Sequence, residues 1–303
     1  MDVSGDNLNC GRCGNVCASD RFCASGSCQT PFTCQSNFTA APAGCSAFPL
    51  DLNKCGVAGT PVVETLTETP GGGIIDHPLT SAVNEGFRLS GQASSTSRFS
   101  GYLNFVFKSE LFPDVALVRQ DNSIGSDGAD LSFEMLSSPY SCARPGLLRL
   151  EADANAKYQM RFERFLLSGK HNAGGASLAT AVPLDVNAGG RACDQVCGRI
   201  SPYCATGEDR QQFYRFTLPP RSAAVVELAS RSFYWLGFYV HLDAFQSNEN
   251  VICRLASLDA ILDYRFTRGR LVNNTFAPQE VFLKILTNGN TPADYNLAIA
   301  VEP

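Results

Sequence analysis

The sequence predicts an all-β protein, with two tandem antiparallel β-sandwich domains preceded by a small disulfide-rich module. Apolar and polar residues alternate with a period of two over many short runs, such as Leu103, Phe105 and Phe107. β-branched and aromatic residues fill these runs, and Gly, Pro, Asn and Ser fill the gaps between them. Cysteines crowd the N-terminal segment. Short alternating strands separated by turn residues are typical of antiparallel sandwiches.

The chain of 303 residues contains 13 cysteines, a density typical of an oxidising compartment. Metal binding is the alternative, but Cys10-x-x-Cys13 has no second C-x-x-C partner, and no histidine lies in the cluster. The last four cysteines lie in one predicted domain, and we expect two bridges among them. The cysteines predicted to form disulfides are Cys10, Cys13, Cys17, Cys23, Cys28, Cys34, Cys45, Cys55, Cys193, Cys197, Cys204 and Cys253.

Residues 1–60 form the predicted module. They hold too few aliphatic residues to offset chain entropy by burial, so disulfides must stabilise them. Within residues 9–28, the pattern N-C-G-x-C-G-x-x-C followed by C-x-x-G-x-C resembles the cysteine-rich repeat of the stigma-specific protein family, which also occurs in secreted bacterial proteins. The resemblance implies an extracellular setting and no catalysis.

Residues 61–168 and 169–303 are predicted to be two copies of one β-sandwich, joined by a small-residue linker near residues 168–175. We match four strands between the copies in the same order. The matches are Tyr102–Phe107 with Phe213–Leu218, Val115 with Val226, Pro145 with Pro278, and Tyr158 with Tyr295.

The second copy also resembles a bacterial pre-peptidase C-terminal domain. The resemblance rests on its opening at residues 172–184, its aromatic strand at residues 213–218 and its last strand at Tyr295. It covers residues 172–303, and residues 61–167 more faintly. It implies a small secreted β-sandwich of the kind attached to exported enzymes and surface proteins. The acidic residues that the family usually places before the aromatic strand are here Glu208 and Asp209.

Histidines are the starting point for a search for catalysis. Asp76 could orient His77, and His241 lies two residues before Asp243, on the same face of a predicted strand. His171 lies in the linker. No nucleophile elbow, H-E-x-x-H motif or glycine-rich phosphate loop accompanies them. We therefore expect surface or core histidines and a protein that is not an enzyme.

A calcium site is predicted in residues 120–130, where Asp121, Asp127 and Asp130 could supply oxygen ligands. The run lacks the spacing of an EF-hand. Asp, Asn and Gly are also the residues that any loop between strands uses, so an ordinary loop is the alternative. Calcium is the one cofactor that the sequence suggests.

A binding surface is predicted at residues 233–239, where five of seven residues are aromatic. One face of the strand would join the core, and the other would form a platform for sugar rings or a partner chain. Burial of both faces is the alternative. The residues predicted to bind are Phe233, Tyr234, Trp235 and Tyr239.

A secreted or surface-displayed structural protein, acting in adhesion or assembly, is the favoured functional hypothesis. Its partners would be a cell-surface or matrix component, or copies of itself. The net charge of −5 argues against nucleic-acid binding, and no run of about 18 apolar residues predicts a membrane span. Residues 1–6 lack the features of a signal peptide, so we expect the export signal to have been removed. The alternatives are a carbohydrate-binding module and the accessory domains of a secreted hydrolase.

Overall fold

The structure, a computed structural model, describes most of the chain. The described residues are 3–18, 21–47, 57–68, 73–81, 85–95, 101–109, 112–124, 129–136, 144–152, 156–167, 174–186, 193–200, 211–232, 238–247, 250–260, 265–287 and 293–302.

Every regular element in these residues is a β-strand, which confirms the predicted all-β fold class. The N-terminal segment contributes β1 (Phe22–Ala24), β2 (Ser27–Gln29) and β3 (Phe32–Ser36). The middle of the chain contributes β4 (Val57–Glu68), β5 (Gly73–Ser81), β6 (Glu85–Ser95), β7 (Gly101–Ser109), β8 (Phe112–Ile124), β9 (Ala129–Leu136), β10 (Arg144–Ala152) and β11 (Ala156–Leu167). The remainder contributes β12 (Val182–Pro183), β13 (Cys193–Ile200), β14 (Gln211–Leu218), β15 (Ala223–Ser232), β16 (Phe238–Phe245), β17 (Val251–Ala260), β18 (Arg265–Asn273), β19 (Gln279–Thr287) and β20 (Ala293–Glu302).

The strands of each half form two sheets. Sandwich 1 has the strand orders β4-β11-β6-β9 and β5-β10-β7-β8. Sandwich 2 has the orders β13-β20-β15-β18-β3 and β12-β14-β19-β16-β17. When β3 and β12 are left out, the two sandwiches have the same strand order. Each strand of sandwich 1 then corresponds to one strand of sandwich 2, in sequence order from β4 with β13 to β11 with β20. This strand order is that of a jelly roll, in which two packed sheets leave few strand edges exposed.

The shared strand order corrects two of the four sequence matches. The aromatic strand β7 corresponds to β16 in the order, whereas we matched it with β14, which corresponds to β5. Val115 lies in β8 and Val226 in β15, and these are not equivalent strands either. The later matches do join equivalent strands, β10 with β19 and β11 with β20. Alternation is common to every half-buried strand, so it cannot distinguish one strand of a sandwich from another.

The core of sandwich 2 lies between its two sheets. Tyr214 and Phe216 of one sheet face Tyr295 and Leu297 of the other, and all four are buried. The hydroxyls of Tyr214 and Tyr295 lie 2.6 Å apart, so the two sheets also share a hydrogen bond within the core. In sandwich 1, the rings of Phe87 and Phe162 stack with their centroids 5.7 Å apart.

The N-terminal module is held by two disulfides, Cys10–Cys23 and Cys17–Cys28, around the β1–β2 hairpin. Gly11 has a φ of 74°, and a Cβ there would collide with the backbone of Gly26. The glycines of the motif are therefore required by the close approach of two turns. Cys13, which we assigned to a disulfide, is an exposed thiol outside these bridges.

Two further disulfides correct the predicted pairing of the C-terminal cysteines. Cys253 bonds to Cys34, and Cys193 bonds to Cys45, so neither bridge joins two of the four C-terminal cysteines as we expected. Cys197 is also disulfide-bonded. Cys55, Cys142 and Cys204 lie outside the described residues.

The same bridges change the domain organisation. β3 pairs antiparallel with β18, and Phe32 enters the core of sandwich 2. Residues 32–47, which we placed in the N-terminal module, are therefore part of sandwich 2 in structure. The chain then continues to β4, the first strand of sandwich 1, so the N-terminal segment is attached to the sandwich that is farther along the sequence.

Candidate functional site

Residues 37–47, which we call the strap, cross the outer face of sandwich 2. The strap follows β3 at one edge of the sheet and reaches β13 at the opposite edge through Cys45–Cys193. Near its start, Arg268 donates a hydrogen bond of 2.8 Å to the carbonyl of Thr39. Near its end, Gln195 donates to the carbonyl of Ser46 at 2.8 Å, and Asn296 donates to the carbonyl of Ala47 at 3.1 Å.

Glu227 is the centre of this attachment. It lies on the central strand β15 and is fully buried. Its Oε1 accepts hydrogen bonds from the Ser46 hydroxyl at 2.6 Å and the Ala47 amide at 2.7 Å. Its Oε2 accepts from Nε of Arg268 at 2.5 Å. A buried carboxylate needs such partners, because without them its desolvation would be costly.

The register of the sheet places these groups in one row. Arg268 pairs with Glu227, Glu227 with Ala298, and Ala298 with Gln195, across β18, β15, β20 and β13. Ala47 is fully buried against Ala298 and Ala229. These small side chains leave room for the backbone of the strap, and the long polar side chains at either end of the row hold it in place.

The environment of Glu227 favours its charged form. Burial alone raises the pKa of this carboxyl, but the hydrogen bonds from Ser46, Arg268 and the Ala47 amide, together with the charge of Arg268, bring the pKa below its ordinary value. The ionised carboxylate therefore holds the strap at neutral pH.

His241 and Asp243, one of the two histidine–aspartate pairs considered for catalysis, both lie on β16 and are buried. Asp243 accepts a hydrogen bond of 2.9 Å from Nε of Arg254 on the neighbouring strand. Burial lowers the pKa of His241, the charge of Arg254 lowers it further, and Asp243 partly opposes both effects. The carboxylate is thus engaged by a permanent cation, which makes it a weak orienting group for a histidine base.

The predicted calcium ligands are only partly described. Asp121 lies within β8, paired with Asn104, and Asp130 lies within β9, paired with Gln92. Asp127 lies outside the described residues. The strands thus extend further into this run than we expected, since we placed the whole of residues 120–130 in a loop.

The predicted aromatic surface is only partly described. β15 extends to Ser232 and β16 begins at Phe238, so only the last two residues of the run lie in a described strand. Phe233, Tyr234 and Trp235 lie outside the described residues, and Tyr239 pairs with Asp259 in the ladder of β16 and β17.

A cavity of about 560 Å³ lies where the N-terminal module meets sandwich 2. Its volume is in the range of small-ligand pockets. The lining combines amides and hydroxyls with aromatic rings and one cation. Those residues include Arg21, Phe22, Thr30, Gln246, Asn250 and Gln279.

The cysteine sulfurs of the module form a compact cluster. The Sγ atoms of Cys10, Cys17 and Cys28 lie within 4.8 Å of one another. Each belongs to a disulfide, either Cys10–Cys23 or Cys17–Cys28, and a disulfide sulfur is not the thiolate that zinc requires. This geometry favours the disulfide interpretation over the metal alternative.

Among the residues that the structure describes, no helix is long and apolar enough to cross a membrane.

Sequence reasoning missed the strap and its anchor. Two signals were present: Glu227 interrupts the apolar run of β15, and alanines alternate with larger residues in β20. A lone charge in a central strand indicates a buried partner. Nothing in the sequence identified that partner as a segment 180 residues away.

No protein-family model and no curated protein matches this chain. Among solved structures, a disulfide-linked pilus of Bacillus endospore appendages is 16% identical, with 44% of this chain and 99% of that chain covered and a TM-score of 0.23. The tandem CBM22 domains of Paenibacillus barcinonensis Xyn10C are 14% identical, with 86% and 99% covered and a TM-score of 0.26. The PBSX exported protein XepA is 10% identical, with 78% and 86% covered and a TM-score of 0.25. Likenesses with TM-scores this low support no conclusion about function.

Proposed function

We propose that this protein is an exported, surface-displayed structural protein that is not an enzyme and whose β-sandwiches act in adhesion or assembly. Its partners would be a surface or matrix component, or further copies of itself. The observation that carries the proposal is the pair of long-range disulfides, which join residues 219 and 148 positions apart. Bridges of this kind are typical of oxidising environments and rare in a reducing cytosol.

The local disulfides of the module support the same setting. Two bridges stabilise a segment that contains little apolar core, as is usual for small extracellular modules. The resemblance of residues 9–28 to the stigma-specific repeat, and that of residues 172–303 to pre-peptidase C-terminal domains, agree with export and surface display. The engagement of Asp243 by Arg254 supports the non-enzymatic part of the proposal.

Cell fractionation combined with surface labelling tests the export step. When intact cells that produce the native protein are treated with a membrane-impermeant amine reagent, this protein should become labelled. Free-thiol titration should find most of its cysteines oxidised. A fully reduced protein inside the cell would contradict the proposal.

Sedimentation velocity over a concentration series tests assembly, and a monomer at every concentration would leave adhesion to another molecule as the remaining role.

Carbohydrate binding is the second candidate, and the cavity beside the N-terminal module favours it. Amide side chains such as Gln246, Asn250 and Gln279, next to the ring of Phe22, are groups that hydrogen-bond and stack on sugars. A glycan array, with and without calcium, is the test. Binding that is lost in Gln279→Ala but kept in Gln195→Ala, an amide outside the cavity, would support this candidate over a purely structural role.

A further inference from the structure

We propose that sandwich 1 is carried as a covalently closed side loop, outside the path along which tension passes through this protein. Tension that enters before Cys34 and leaves after Cys253 would cross the disulfide between them and would not reach β4–β11. Sandwich 1 would then present its surfaces in a folded state while the rest of the chain is pulled. This role in display rests on the proposed function, whereas the force path itself does not.

The first support is the position of Cys34–Cys253. It links β3 to β17, two strands that belong to the two different sheets of sandwich 2. The Cα atoms are 6.4 Å apart, which a disulfide spans without backbone movement. Because the sequence separation is 219, a chain of 303 residues has most of its length removed from the force path by this one bond.

The second support is the disulfide Cys45–Cys193. Both of its cysteines lie between Cys34 and Cys253 in sequence, so it closes a smaller loop nested within the first one. It joins the end of the strap to β13, with Cα atoms 5.8 Å apart. All eight strands of sandwich 1, from Val57 to Leu167, lie between these two cysteines in sequence. Sandwich 1 is therefore enclosed by two successive covalent links, and loss of the outer one alone would still leave it outside the force path.

The third support is the non-covalent attachment between the bridges. The strap is bound along its length by Arg268, Glu227 and Asn296, which lie on three adjacent strands of one sheet. The point where the chain leaves for sandwich 1 is thus fixed on one sheet of sandwich 2. After sandwich 1, Gly175 pairs with Phe213 of β14 in the other sheet. A strap that only connected two independent domains would need no buried carboxylate beneath it.

Single-molecule force spectroscopy, with handles at the two ends of the chain, tests the inference directly. The oxidised protein should extend about 750 Å less than the reduced protein, since 219 residues at about 3.3–3.6 Å each stay inside the loop. The only unfolding event should be that of sandwich 2. Full extension of the oxidised protein, with a second unfolding event, would overturn the inference.

Paired cysteine variants give graded lengths. Cys34→Ser with Cys253→Ser should lengthen the oxidised chain by only about 250 Å, because the inner bridge still encloses 148 residues. Cys45→Ser with Cys193→Ser should leave the final length unchanged, because the outer bridge remains. The four changes together should bring the length close to that of the reduced protein, short of it only by the residues that Cys10–Cys23, Cys17–Cys28 and the bridge of Cys197 still enclose. A full-length extension in either double variant would contradict the nested arrangement.

Peptide mapping of the unreduced native protein keeps the inference testable if a variant does not fold. It should find Cys34 joined to Cys253 and Cys45 joined to Cys193. Pairing of Cys253 with Cys193, Cys197 or Cys204 instead would exclude the force path. That outcome would leave the proposed function standing, since the protein would still be exported and oxidised; a fully reduced protein would exclude both.

Discussion

Glu227 is the residue on which the strap depends most. Glu227→Gln should lower the free energy of unfolding by about 3–5 kcal/mol, the cost of removing one partner from a buried ion pair. The amide would present a donor to the hydroxyl and amide donors of Ser46 and Ala47, and would leave Arg268 without its counter-charge. Urea unfolding at pH 7.5 measures the change.

Glu302→Gln is the matched control, because Glu302 on β20 forms an ion pair at 3.8 Å with Arg270 on β18, the two strands that flank β15. Both side chains are about one-third exposed, so this pair should contribute no more than about 1 kcal/mol. Equal effects of the two variants would show that the strap does not depend on a buried charge.

His241 should make the protein less stable as the pH falls below neutral. Its folded-state pKa is lowered by burial and by Arg254, so the unfolded chain takes up a proton at a higher pH than the folded chain does. The stability contribution of neutral His241 is complete above its ordinary value of 6.5 and is lost as the pH falls through that value. Between pH 7.5 and 5.5, the wild type should lose more unfolding free energy than His241→Asn. Parallel curves for the two proteins would contradict the assignment.

At the scale of elements, β14 shows how far alternation predicts a core. The match of Tyr102–Phe107 with Phe213–Leu218 aligns Phe216 with Phe105 of an apolar face, and Phe216 is 4% exposed between the sheets of sandwich 2. Phe216→Ala should cost about 3–5 kcal/mol of unfolding free energy, as truncation of a buried aromatic does. Phe276→Ala is the control, since Phe276 is 73% exposed and its contact with Arg221 contributes about 1 kcal/mol or less. An unchanged melting temperature for Phe216→Ala would place this ring outside the core.

β15 and β20 show where alternation fails. Nearly every described side chain of both strands is buried, because the core covers one face and the strap crosses the other. A strand with an open outer face would carry polar residues there. Alanines at these outer positions instead accommodate the strap.

For the whole molecule, reduction should affect the two sandwiches differently. Sandwich 2 is bridged to the N-terminal segment by two disulfides, whereas Cys142 is the one cysteine in residues 61–168, so no disulfide can form within that segment. In calorimetry, a thiol reductant should lower the melting temperature of the sandwich 2 transition, since each native disulfide contributes about 2–5 kcal/mol. The melting temperature of the sandwich 1 transition should not change. A shift of both transitions by the same amount would contradict a separate sandwich 1.

The sequence by itself determined the all-β class and the disulfide-rich N-terminus, because both follow from local chemistry. A period of two specifies strands with one buried face, and glycines beside Cys10 and Cys28 specify turns that only glycine can form. Each of these features depends on residues near one another in the chain.

Only the tertiary structure decided which cysteines pair, which strands correspond and what lies over Glu227. Cys34 and Cys253 are 219 residues apart, and the entire first sandwich lies between the partners Cys45 and Cys193. Spacing along the chain carries no information about such a contact, since a folded domain between two cysteines can return the chain to its starting point. The partner of a buried charge and the order of strands in a sheet are set in the same way, by packing between segments that are distant in sequence.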